Sequence, residues 1–108
     1  MVEEQGKLRK TLEKTKECII KNELGLHLRP AGLFVKTANK YRADITVEKD
    51  GLTVDGKSII GITTLNVVKN AKIKIKARGK DAGQALKALE KLIASNFRER
   101  LNYGTKKK

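Results

Sequence analysis

Lys72-Ile73-Lys74-Ile75-Lys76-Ala77-Arg78 alternates without a break between charged and apolar side chains. Successive side chains of a β-strand point to opposite faces. The run is therefore a strand with Ile73, Ile75 and Ala77 toward a core and a basic row, Lys72, Lys74, Lys76 and Arg78, on the other side. Such a strand needs cover on one face only, and that condition decides the fold. The same alternation occurs from Ala43 to Lys49, where Ile45 and Val47 face one way and Asp44, Thr46 and Glu48 the other. Asp50-Gly51 is a hairpin pair leading into Leu52-Thr53-Val54, and Cys18 to Asn22 reads as a first strand. Helical spacing fills the gaps. One helix runs from about Pro30 to Lys40, with Ala31, Phe34, Val35 and Ala38 on its apolar face. Another follows Asp81 as its cap, with Ala82, Ala85, Leu86, Leu89, Leu92 and Ile93, and the stripe continues to Phe97 and Leu101. Lys57 to Asn66 is short, and Ser58 as an N-cap favours a helix there over a continued strand. The order is βαββαβα. The expected class is α/β (α+β): an open-faced two-layer sandwich, a four-stranded antiparallel sheet with helices on one face.

A chain of 108 residues makes one domain with a modest core. The expected division is a charged N-terminal extension over 1–16, a folded domain over 17–94, and a basic, partly helical extension over 95–108 that ends loosely after Gly104. No apolar stretch is long enough to span a bilayer, and the first residues lack a signal-peptide pattern, so the cytoplasm is the expected location. The single cysteine, Cys18, excludes an internal disulfide and a cysteine zinc cluster; no metal or cofactor is expected. The net charge is +13, from 25 Lys and Arg against 12 Asp and Glu. A charge of that size attracts acidic partners in a salt-dependent way. Nucleic acid is one such class, but only Phe34, Tyr41, Phe97 and Tyr103 are aromatic. None lies on a strand, so the sheet offers bases no stacking platform.

The only histidine, His27, lies in Gly25-Leu26-His27-Leu28-Arg29-Pro30-Ala31, just before the only proline. Proline suits a first helical turn, which has no use for its missing N–H. His27 then falls at or near the helix N-cap, where backbone N–H groups and the positive end of the helix dipole point, with Arg29 close by. That place suits an anion. An ordinary imidazole, with a pKa of about 6.5, is mostly neutral at pH 7 and therefore nucleophilic. A nucleophile beside an anion cradle fits a phosphoryl group carried on histidine. A surface or capping histidine is the plainer alternative.

The run GLHLRPAG, between IIKNEL and LFVKTANKY, resembles the active-site segment of the histidine-containing phosphocarrier (HPr) family. Asp55-Gly56-Lys57-Ser58-Ile59-Ile60-Gly61-Ile62 resembles that family's serine site, in the expected order and separation. The resemblance covers Glu17 to about Ala94. It implies that His27 takes phosphate on Nδ1 from phosphorylated enzyme I, itself charged by phosphoenolpyruvate, and passes it to enzyme II A components for sugar uptake. The chain would be a phosphotransfer carrier rather than a stand-alone enzyme, and a monomer. Arg29 would stabilise the phosphoryl group, and a serine kinase acting on Ser58 would regulate the carrier. Leu28, Gly32, Ile59, Ile60 and Thr63 correspond to the partner-docking surface, with Lys36 and Lys57 as its basic rim. Two positions depart from the family pattern: Leu28 replaces a small residue, and Asn66 stands where glycine is common. A regulatory carrier of the nitrogen or carbon-control type, with the same chemistry, is the alternative; a basic nucleic-acid-binding module is the outside one.

Overall fold

The computed structural model describes residues 12–98. In it the chain runs β1 (Glu13–Ile19), α1 (Leu28–Ala38), β2 (Asp44–Lys49), β3 (Leu52–Asp55), α2 (Ile59–Thr64), β4 (Lys72–Arg78) and α3 (Ala82–Ala94), then a 3-10 turn at Asn96–Arg98. The four strands form one sheet in the order β1-β4-β2-β3, antiparallel throughout. The alternating run is thus an interior strand, paired on both edges, with its isoleucines and alanine buried and its cations exposed. Phe34 from α1, Ile62 from α2 and Leu89 from α3 close the core against Ile45, Val47, Ile73 and Ile75, all of them buried. This is the expected open-faced sandwich.

The first strand differs from the expected Cys18 to Asn22. β4 is seven residues long and β1 matches it residue for residue, from Glu13 opposite Arg78 to Ile19 opposite Lys72. The strand therefore takes in residues 13–16, which their charge assigns to an extension. Charge is what suits them to this edge: Glu13 faces Arg78 and Glu17 faces Lys74, and opposite charges across strands are favourable. Lys16 also reaches Glu90 of α3 at 3.4 Å, so its stem lies along the rim of the core.

The basic row is interleaved with acid on both sides. Arg78 lies between Glu13 and Asp44, and Lys74 between Glu17 and Glu48. The open face is a charge-balanced surface.

Asp81 stands at the N-cap of α3 but makes no cap bond. Its carboxylate accepts instead from the backbone N–H groups of Arg42 and Ala43, both at 2.8 Å. The Arg42 bond above all holds its pKa below the usual carboxylate value. The side chain ties the start of α3 to the loop entering β2, which satisfies two loop donors in place of helix donors.

The last helix also stops earlier than its stripe predicts. It ends at Ala94, and Asn96, Phe97 and Arg98 all take left-handed backbone, with φ of 54°, 57° and 61°. Such backbone costs about 1–2 kcal/mol per non-glycine residue. The turn folds Phe97 back into the core, fully buried, and burying a side chain of that size contributes about 1.5–3 kcal/mol toward the cost. Leu101, Gly104 and the residues before Leu12 lie outside the described residues.

Candidate functional site

The segment that delivers His27 is fixed by close backbone packing. Asn22 and Gly25 close a tight turn, with Gly25 N–H donating to Asn22 O at 3.0 Å and Asn22 Nδ2 donating to Gly25 O at 2.6 Å. Gly25 has φ +66°, and a Cβ there would meet the Val67 carbonyl at 2.2 Å. Only glycine meets both demands. Leu26 N–H then bonds that same Val67 carbonyl at 2.9 Å, pinning the chain one residue before the histidine.

His27 is the N-cap of α1, in extended conformation, and its side chain makes no cap bond to the helix. It is half-buried, while Leu28 and Arg29 beside it are exposed. Pro30, the third helical residue, is buried and has no N–H, so Leu28 and Arg29 supply the N–H groups of the first turn. Arg29 Nη1 donates to the backbone carbonyl of Phe97 at 3.3 Å. That contact joins the site to the left-handed turn after α3, and nothing in the spacing of the sequence announces it.

The expected docking residues fall into two groups. Gly32 faces Ile59, whose Cδ1 lies 3.7 Å from where a glycine Cβ would be, so α1 and α2 meet there. Ile59 is at the edge of exposure, and Ile60 is far more exposed. Thr63 is exposed, with its hydroxyl bonded back to Ile59 O and Ile60 O at 2.8 and 3.1 Å. Lys36 is exposed in the last turn of α1. Lys57 is no loose rim cation. Its ammonium donates to Tyr41 O at 2.7 Å and its carbonyl accepts from Asn39 Nδ2 at 3.4 Å, so it braces the far end of α1 from His27.

Ser58 caps α2: its Oγ accepts the Gly61 N–H at 3.0 Å. Asn66 follows that helix with φ +51°, the left-handed conformation that asparagine tolerates better than other non-glycine residues; this explains how the chain does without glycine there. Burial pushes the Cys18 thiol pKa up, as befits a packed strand residue. Among the described residues no three His, Cys, Asp or Glu side chains gather as a metal site, and no helix is long and apolar enough to cross a membrane.

A small open-faced sandwich that presents one histidine at the mouth of its first helix, with an arginine two residues on, has the architecture of a phosphocarrier domain. Comparison with known proteins agrees. A family model described as the PTS HPr component phosphorylation site matches residues 14–95. The phosphocarrier protein HPr of Borreliella burgdorferi is 46% identical over 84 residues, which are 78% of this chain and 96% of that protein. Among solved structures, HPr of Thermoanaerobacter tengcongensis superimposes with a TM-score of 0.79 at 49% identity, over 82% of this chain and 99% of that one. Crh, the Bacillus subtilis catabolite repression protein, crystallised as a dimer with a swapped domain, gives 0.59 at 35%, over 80% and 94%. The chain belongs to the HPr family of the phosphotransferase system, and its general role is that of a phosphocarrier.

Proposed function

We propose that His27 Nδ1 receives a phosphoryl group from phosphorylated enzyme I and passes it to enzyme II A components that drive sugar uptake, the chain working as a cytoplasmic monomer. The observation that carries this reading is the placement of His27 at the N-cap of α1, two residues before Arg29. The Nδ1 lone pair attacks phosphorus in line, the N–P bond forms, and the bond to the donor breaks. Negative charge spread over the three phosphoryl oxygens meets the positive end of α1 and the Arg29 guanidinium. Each dipole contact contributes about 0.3–1 kcal/mol. An open cradle of that strength holds the group without trapping it, as a carrier requires. Arg29 leaves the Phe97 carbonyl to meet the phosphoryl oxygens, and its contact of 3.3 Å is long enough to exchange readily.

The likeness to Crh favours a second reading, a regulatory carrier governed by phosphorylation of Ser58, with the same histidine chemistry. Incubation with enzyme I and phosphoenolpyruvate, followed by weighing of the intact protein, tests the main proposal. One acid-labile phosphoryl group is expected. An unmodified protein, or an acid-stable adduct, overturns it.

A further inference from the structure

Three large apolar side chains stand out of the surface around the segment that delivers His27: Leu24, Leu28 and Val68, at 67%, 71% and 55% exposure. Leu28 follows the histidine directly. Leu24 precedes Gly25 in the turn, and Val68 belongs to the strip against which Gly25 is packed; a Cβ on Gly25 would lie 2.8 Å from Val68 Cα.

This loop pair is held firmly. Besides the Leu26–Val67 bond, Asn70 N–H donates to Ile20 O at 2.6 Å and Ala71 O accepts from Ile20 N–H at 2.9 Å. Lys69 Nζ and Glu23 Oε1 lie 3.0 Å apart across the two loops, which leaves Lys21 as the one cation of this margin not matched by a carboxylate of the same loops. The helices are different: α1 and α2 contain no acidic residue, and the single glutamate of α3 is bridged to Lys16. One side of His27 is thus lined by exposed apolar side chains, the other by cations of α1, with no acidic residue on α1 or α2.

We infer that Leu24 and Val68, together with Leu28, form an apolar collar on the loop side of His27 that docks the phosphotransfer partner protein. The inference rests on the phosphocarrier reading of His27. In-line transfer brings the partner's reacting atom to about 3–3.5 Å from the imidazole nitrogen. A protein surface that comes so close covers the side chains at the rim of the same turn and expels their water. Scattered exposed leucines need no explanation, but two of these three sit on one hydrogen-bonded loop pair and the third on the first residue of α1, beside the only histidine. The chemistry they select is an uncharged apolar patch on the partner, next to the acidic one that suits Lys36. The collar therefore acts independently of ionic strength, unlike a charged rim.

The experiment compares the wild-type chain with Leu24→Ser and with the double variant Leu24→Ser/Val68→Ser. Enzyme I and phosphoenolpyruvate serve as donor at low and high salt, and phosphoramidate as a donor that needs no docking. Melting curves establish that each variant is folded. The double variant is expected to raise the KM for the carrier by about tenfold at both salts, as loss of a central apolar contact does, with the single variant intermediate and the phosphoramidate rate at the wild-type level. An unchanged KM in both variants overturns the collar. An equal loss with phosphoramidate also overturns it, because the side chains then act on His27 itself. If wild-type His27 accepts phosphate from neither donor, the phosphocarrier reading fails and the collar falls with it.

Discussion

The starts of α1 and α2 occupy equivalent places in their helices and are built in opposite ways. Ser58 spends its hydroxyl on the Gly61 N–H, so the α2 terminus is satisfied from within. His27 makes no such bond, and the helix behind it has neither a capping oxygen nor an acidic residue in its first turn. A helix start gains about 1 kcal/mol from a capping side chain, and α1 forgoes it. Under the proposed function, α1 gains a positive terminus that meets the phosphoryl group, with His27 as the nucleophile at its mouth. The two helices thus differ at a single position, the N-cap, where one side chain caps and the other does not.

The substitution His27→Ser makes α1 resemble α2 and has the largest expected effect. All phosphorylation by enzyme I should disappear by intact mass, while chemical unfolding should show a gain of about 0.5–1 kcal/mol from the new cap. Retention of label would refute the assignment of His27. The next effect concerns the charge that completes the α1 cradle. Arg29→Ala should slow transfer about 100-fold, the usual cost of a lost transition-state donor. Lys36→Ala, a solvated charge, should slow it less than about threefold. Equal losses in rapid-quench assays would mean that Arg29 serves docking rather than the phosphoryl group.

Ser58 sharpens the comparison from the other side. Ser58→Ala should cost about 1 kcal/mol in denaturant unfolding and leave transfer unchanged. Ser58→Asp should keep the fold yet slow His27 phosphorylation about threefold at low salt, an effect that salt screens. A rate indifferent to Ser58→Asp at low salt leaves the serine as a cap alone. The smallest effect lies at α3, whose acidic N-cap residue serves a loop. Asp81 has a depressed pKa in the folded state, so its contribution is complete above the unfolded carboxylate value of about 3.9 and is lost as pH falls through the native value. Asp81→Asn should therefore melt lower than wild type at pH 7 and nearly level with it at pH 2. A constant gap between the melting curves would remove the linkage.

What was legible in the sequence, and what was not, follows from the kind of interaction involved. β2 and β4 announce themselves because burial on one face forces alternation, β3 because the Asp50-Gly51 pair marks a hairpin turn before it, and α1 and α3 because burial forces a stripe. β1 does not, since an edge strand is held by backbone pairing and by charges opposite charges, which in one dimension look like a solvated tail. The placement of His27, Arg29 and Pro30 at the start of α1 could be read from the sequence because proline and the apolar stripe after it mark that helix start. The braces around it could not. Lys57 on the Tyr41 carbonyl, Arg29 on the Phe97 carbonyl and Asp81 on two loop N–H groups all engage main-chain atoms, which every residue possesses. The left-handed turn at Asn96–Arg98 is equally silent, for it contains no glycine.

The interleaving of carboxylates with the cations of β4 reaches beyond the sheet. Among the described residues, four basic residues on that face stand among Glu13, Glu17, Asp44 and Glu48, whereas within α1, α2 and α3 Arg29, Lys36, Lys87 and Lys91 stand against Glu90 alone. Charge so divided gives the described residues a polarity, like a compass needle with a positive tip. In the field of an acidic partner such a body experiences a torque before contact, and it tends to arrive with the helices in front. The rate of useful encounters then depends on orientation acquired in solution as well as on the fit at contact. If His27 serves the proposed transfer, a balanced sheet face becomes part of how it meets its partner.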